Sequence, residues 1–327
     1  MGNSLDTTLL RRGGGGEALS IIVEHLNKSY GEVKALTDVS FNVEKGELFG
    51  FIGPDGAGKT SLFRILTTVL SHDSGKASVE GFDVSEYREI RKIAGYMPGR
   101  FSLYQDLSVE ENMRFFAAVF GTTIEENYEL VKDIYTHIEP FKKRLAGQLS
   151  GGMKQKLALS CALIHCPRVL FLDEPTTGVD AVSRREFWEM LKKLKEKGIT
   201  ILVSTPYMDE AAMCDRVALI QSGKILSIDT PNAIVENFDR QLFALQSNNQ
   251  YHTLKHLHGY AFTHSVYPFG ETLHYIDSRE NADSKEIEKL LKEAGLDAVK
   301  IEKIKPDIED CFIELMKKNS EAVTAEP

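Results

Sequence analysis

GPDGAGKTS, residues 53–61, sits between two segments of different periodicity. Before it lies LFGFI (48–52), a continuous apolar run of strand length. After it, SLFRILTTVL (61–70) repeats its apolar residues at helical spacing. A strand, a glycine-rich loop and a helix in that order, matching G-x-x-x-x-G-K-[ST], read as a phosphate cradle. The glycines let backbone N–H groups curl around phosphate oxygens with no Cβ in the way. The helix opening at Lys59 directs the positive end of its dipole at the same anion. Lys59 would reach the β- and γ-phosphates, and the Thr60 hydroxyl would ligate Mg²⁺. The candidate nucleotide-binding residues are Gly53, Pro54, Asp55, Gly56, Ala57, Gly58, Lys59, Thr60 and Ser61.

Two further stretches gain meaning from Lys59. VLFLDEP (169–175) ends an apolar strand in Asp173-Glu174. Ligands of open α/β sheets bind beyond the carboxyl ends of the strands. Asp173 would hold Mg²⁺ through water, and Glu174, the candidate catalytic residue, would orient or deprotonate an attacking water. Alone, such an acidic pair is an ordinary strand-end turn. LSGGMKQK (149–156) offers Ser150 as an N-cap, with Gly151 and Gly152 leaving N–H groups exposed at a helix start. Alone, it is equally a well-capped helix that Pro167 later stops.

Outward from these motifs, SIIVEHLNKSY (20–30) and VSFNVEKGELFGFIG (39–53) read as strands, and SHDSGKASVEGFDV (71–84) as a hairpin. Residues from about 88 to 167 are mostly helical in pattern, with a capping box from Ser108 to Glu111. RVLFL (168–172) and ITILVST (199–205) are strands of the kind buried on both faces, and REFWEMLKKLKEKG (185–198) is an amphipathic helix closed by glycine. RVALIQSGKILSI (216–228) is a second hairpin, and LVSTPYMDEA (202–211) reads as a strand end followed by a helix. After about residue 229, short alternating segments flank one helix, a small α+β pattern. The expected organisation is a tail with a glycine linker at 1–19, a nucleotide-binding domain at 20–228, an accessory domain at 229–317 and an unstructured tail at 318–327.

A net charge of −9 argues against sequence-independent nucleic-acid binding, so no nucleic acid is expected as a partner. No apolar run approaches the roughly 18–20 residues that span a bilayer. The four cysteines form no C-x-x-C pair and read as buried thiols of a reducing compartment. Five of the nine histidines, His252, His256, His258, His264 and His274, crowd one region. Their spacing fits no zinc pattern, so they read as a polar strand surface rather than a metal site.

Together, the three motifs in their order make residues 20–230 resemble the ATP-binding subunit of an ABC transporter. GYMP…FSLYQDLSVEENMRFFA and SGGMKQKLALSCALIHCPRVLFLDEPTTGVD resemble the subgroup serving ABC-2-type exporters, drug-export ATPases included. PDIEDCFIELM (306–316) resembles that subgroup's accessory domain. The implied fold is α/β, a P-loop cassette of mixed core sheet, antiparallel β-subdomain and helical subdomain, with a small α+β domain after it. The implied assembly is an ATP sandwich dimer on a separate ABC-2-type membrane permease, at the cytoplasmic face of the membrane. In it, Tyr30 stacks on adenine, Ser150, Gly151 and Gly152 serve the partner's ATP, and Asp180 lies at the dimer seam. ATP and Mg²⁺ are the implied cofactors.

Two positions depart from the family pattern. Gly99 stands after GYMP where the family has a glutamine that senses Mg²⁺ and the attacking water, and Gln105 is six residues too late to replace it. Pro206 stands at the switch-histidine position and offers neither a side-chain donor nor a backbone N–H. ATP binding is expected to survive and hydrolysis at this chain's own site to be slow. A homodimer would repeat the weakened site twice, so a heterodimer with a second ABC ATPase is favoured. The alternative function is a regulatory or non-transport ABC ATPase with little turnover.

Overall fold

The computed structural model describes residues 18–99, 103–296 and 300–324. The expected N-terminal tail and glycine linker lie, up to residue 17, outside the described residues. The chain divides into two compact units, one running to Pro231 and including Leu315 onward, the other spanning Asn232–Glu314.

Among the described residues, the first unit contains two sheets. β1 (Leu19–Tyr30) and β2 (Val33–Glu44) form a long antiparallel pair, followed by β3 (Leu48–Ile52) and α1 (Lys59–Leu66). β4 (Ser74–Val79) and β5 (Phe82–Asp83) turn through Glu80 and Gly81, both at positive φ, which gives a primed hairpin turn. α2 (Tyr87–Ile93), β6 (Ala94–Met97), α3 (Val109–Val119), α4 (Tyr128–Tyr135) and α5 (Gly151–Leu163) make up the mostly helical stretch. β7 (Val169–Asp173), α6 (Ala181–Glu196), β8 (Thr200–Thr205), β9 (Arg216–Gln221) and β10 (Lys224–Asp229) complete the unit.

One sheet is antiparallel, in the order β2-β1-β4-β5; the other has six strands, β10-β9-β3-β8-β7-β6. β9, β3, β8, β7 and β6 pair in parallel and only β10 is antiparallel, at the edge. Every residue of β3, β7 and β8 is buried, as parallel strands covered on both faces require. A chain of aromatic contacts from Phe41 through Phe51 and Phe63 to Phe171 joins the two sheets into one core. Ser108 caps α3 as expected: its Oγ accepts from the Glu111 N–H, and Glu111 accepts from the Ser108 N–H in return. After β8, a short 3-10 turn at Met208–Met213 replaces the expected α-helix, because β9 begins only three residues later.

The second unit begins within α7 (Pro231–Glu236) and holds β11 (Leu242–Gln246), α8 (Gln250–His258), β12 (Thr263–Phe269), β13 (Thr272–Asp277), α9 (Ser284–Glu293) and β14 (Lys300–Ile304). Its antiparallel sheet has the order β12-β13-β11-β14. Phe243, Leu245, Val266, Leu273 and Tyr275 pack with Leu257 of α8 and Ile287 and Leu291 of α9. α10 (Ile308–Thr324) runs on through most of the stretch expected as an unstructured tail. That stretch has neither proline nor glycine before Pro327, and half of its residues are Lys, Glu or Ala, all good helix formers; residues 325–327 lie outside the described residues.

The five clustered histidines do not form one strand surface. His252, His256 and His258 lie on α8, whereas His264 and His274 lie on β12 and β13. His274 is buried, stacks on Phe269 and pairs with Asp310, while His264 pairs with Glu314. Among the described residues, no group of three or more His, Cys, Asp or Glu side chains is placed to hold a metal ion. No disulfide forms: Cys161, Cys214 and Cys311 are buried, and Cys166 is exposed.

Candidate functional site

β3 lies between β9 and β8, and the glycine loop leaves its carboxyl end. The loop fits only without side chains at two positions. A Cβ on Gly53 would stand 2.1 Å from the Ile220 carbonyl oxygen, and one on Gly58, at φ +103°, would stand 2.3 Å from that of Ala35. Ala57 is buried, and its carbonyl accepts from the Gly223 N–H of the β9–β10 turn. The edge of β2 and this turn therefore fix the loop from two sides. Pro54, Asp55 and Gly56 remain exposed at its rim, while Thr60 and Ser61 are half-buried at the start of α1.

Lys59 is buried, and an ammonium out of water needs acceptors for its three protons. It donates to the carbonyls of Gly53 at 2.8 Å and Pro54 at 3.0 Å. Its third neighbour is Glu174 Oε1 at 3.2 Å. The ion pair brings the end of β7 to the loop.

Ser204 on β8, not singled out by sequence, organises that end. Its Oγ donates to Asp173 Oδ1 at 2.7 Å and accepts from the Glu174 N–H at 3.0 Å. Glu174 sits at φ +51°, a left-handed conformation costing a non-glycine residue on the order of 1–3 kcal/mol. The bonds from its N–H to Ser204 hold it there. The sequence signal was only a serine at the end of a buried strand, and its role depends on β7 and β8 being neighbours. The Tyr96 phenol on β6 is pushed up to about 12, by burial first and then by the Asp173 carboxylate.

Tyr30, 46 % exposed, reaches the loop through its hydroxyl, 3.2 Å from Ser61 Oγ. Ser150 caps α5 by accepting from the Met153 N–H at 3.4 Å. Gly151 and Gly152 pack on the segment that follows Glu174: a Cβ on Gly152 would meet Ser183 Oγ at 2.7 Å. Asp180 in this segment caps α6, accepting from the Val182 and Ser183 N–H groups. The Ser183 N–H first, and its hydroxyl next, hold the Asp180 carboxyl below the usual range. Ser150, Gly151, Gly152 and Asp180 thus form one patch, and Lys59, Asp173 and Glu174 another.

Gly99 lies against the β7 end: a Cβ there would stand 3.1 Å from the Asp173 carbonyl oxygen. Gln105 is engaged elsewhere: its side-chain amide donates to the Leu103 carbonyl at 3.5 Å, and its backbone carbonyl accepts from the Gly147 N–H. Pro206 follows Thr205, whose carbonyl accepts from the Gly53 N–H at 3.3 Å. Pro206 therefore follows a residue bonded to the loop, whereas Gly99 lies against Asp173 and Glu174 at the end of β7.

The family model for ABC transporters matches residues 36–177. The "Probable multidrug ABC transporter ATP-binding protein YbhF" of Escherichia coli K12 is 41 % identical over 215 residues, covering 65 % of this chain and 37 % of that protein. This chain thus spans little more than a third of that relative's length. The "Nod factor export ATP-binding protein I" of Rhizobium sp. N33 is 32 % identical over 302 residues, covering 91 % of this chain and 97 % of that protein. A solved dimeric ATP-binding cassette, bound to ADP and Pi after hydrolysis, superposes with a TM-score of 0.59 at 25 % identity, covering 64 % of this chain and 98 % of that one. The site's geometry and these similarities lead to one conclusion: the chain belongs to the ATP-binding subunits of ABC transporters.

Proposed function

We propose that this chain is the ATP-binding subunit of an ABC-2-type exporter, working with a separate membrane permease from the cytoplasmic face. The observation that carries the ATP site is the buried Lys59, whose acceptors are two carbonyls of its own loop and Glu174. A terminal phosphate would take over the ammonium and free Glu174 to face water. The donors of Thr60 and Asp173 are hard oxygens, which suit Mg²⁺; bound there, the ion would neutralise phosphate charge. Ser204 would keep Asp173 directed at it, Tyr30 would stack on adenine, and Glu174 would accept the proton of the attacking water.

Ser150, Gly151 and Gly152 would serve ATP held by a second cassette, with Asp180 at the seam. For the permease, an exposed apolar groove of about 370 Å³ beside the Gly99 loop is the candidate contact, lined by Val69, Arg91, Met97, Leu103, Val119 and Phe120. Val69 and Val119 are 61 % and 63 % exposed, an arrangement typical of a protein-binding surface.

Gly99 and Pro206 support a second reading for this chain's own site, that of a nucleotide-responsive subunit with little turnover. Titration with Mg-ATP tests the ATP site. The chain should bind in the micromolar-to-millimolar range, and Lys59→Ala should remove most of that affinity; equal titrations for the two proteins would sink the assignment.

A further inference from the structure

The end of β1 carries more than a tyrosine. Side chains two apart on a strand share a face, which puts Lys28 beside Tyr30. The Lys28 ammonium stands 5.7 Å from the centre of the Tyr30 ring, within cation–π range. Asp73, in the loop before β4, holds the same strand end. One carboxylate oxygen accepts from Lys28 Nζ at 2.7 Å and the other from the Ser29 N–H at 2.6 Å. The Asp73 N–H in turn donates to the Asn27 carbonyl at 2.9 Å. Lys28 first, then the Ser29 N–H, hold the Asp73 carboxyl below its usual range. The Lys28 side chain is only 12 % exposed, although its stem leaves a strand end. Tyr30 is also tied at its hydroxyl to Ser61, yet nearly half of it stays open to solvent.

We propose that Asp73 and Lys28 are positioning residues for a purine base, fixing the end of β1 so that Tyr30 keeps one ring face toward the ammonium and offers the other for stacking. The proposal rests on Tyr30 being the base platform. Asp73 lies 45 residues from Lys28 and touches no phosphate-binding residue in these contacts. Its effect therefore passes through Tyr30 and depends on the ligand carrying a base.

That dependence supplies the test. Dissociation constants of Mg-ATP and of Mg-tripolyphosphate, which has the phosphates but no base, are measured by calorimetry on the full chain and on Tyr30→Ala, Asp73→Ala and Lys28→Met. Tyr30→Ala should weaken ATP about tenfold and leave tripolyphosphate unchanged. Asp73→Ala and Lys28→Met should each weaken ATP about threefold, again without effect on tripolyphosphate. The Asp73–Lys28 double variant should be no worse than the more damaging single one, because both act through one contact. Unchanged ATP affinity in both single variants, with Tyr30→Ala still damaging, overturns the proposal alone. Equal weakening of both ligands overturns it too, since the disturbance would then reach the phosphate loop. If Tyr30→Ala spares ATP, the platform reading fails and the proposal falls with it.

Discussion

Ser204 shows how much of the site depends on one hydroxyl. It donates to Asp173 and accepts from the Glu174 N–H, so it fixes the Asp173 carboxylate and the Glu174 backbone at once. Groups that orient a metal ligand typically alter metal affinity by 10–100-fold. Ser204→Ala should therefore reduce the gain in ATP affinity that Mg²⁺ confers by about tenfold, while ATP binding in EDTA stays the same. Titrations with and without Mg²⁺ check this, and an unchanged Mg²⁺ dependence would remove Ser204 from the account. Gly53 is a second single-residue case. Its missing Cβ would overlap the Ile220 carbonyl, so Gly53→Ala should cost roughly 1–3 kcal/mol of stability, read as a lower thermal midpoint. Gly53 and Lys59 were legible in sequence because their motif is local. Ser204 was not, because Asp173 lies 31 residues away and only the sheet brings them together. Lys28 and Asp73 stayed hidden for the same reason.

At the scale of elements, strands and helices with strong periodicity appear where the sequence places them. The buried runs of β3, β7 and β8 and the capping box of α3 are examples. The segment after Pro206 and the end of α10 differ, because short polar stretches carry weak periodicity and neighbouring elements decide them. Pro206 follows the residue that bonds the phosphate loop, and Gly99 lies against the Asp173–Glu174 end of β7; on the proposed reading, each stands where a polar contact to the nucleotide site is expected. Losing one positioned donor typically costs about 10²–10³ in rate. Gly99→Gln with Pro206→His should therefore raise the ATPase rate of the purified chain. The gain should be incomplete, because a side chain at 99 presses on the Asp173 carbonyl at 3.1 Å. No gain in a steady-state phosphate-release assay would mean these positions do not limit turnover. The apolar groove makes a separate prediction: Val69→Asp with Val119→Asp should abolish co-purification with a permease and leave Mg-ATP affinity within about twofold.

Across the whole molecule, the two nucleotide-facing patches differ. On the proposed reading, the Lys59 side lacks two polar contacts, at positions 99 and 206, whereas Ser150, Gly151 and Gly152 keep the expected residues, with Ser150 capping α5. In a symmetric pair both ATP sites would inherit the loss. With a second, complete ABC ATPase, this chain's Ser150 would finish one strong site and its Glu174 would sit in the weak one. The solved relative with a dimeric cassette fits either pairing. The decisive measurement is the ATPase rate of the complex reconstituted with the proposed permease and second cassette, with one substitution at a time in this chain. Ser150→Arg should abolish turnover, while Glu174→Gln should leave most of it. Equal loss from the two substitutions would contradict the account, because this chain's own site would then be required for hydrolysis.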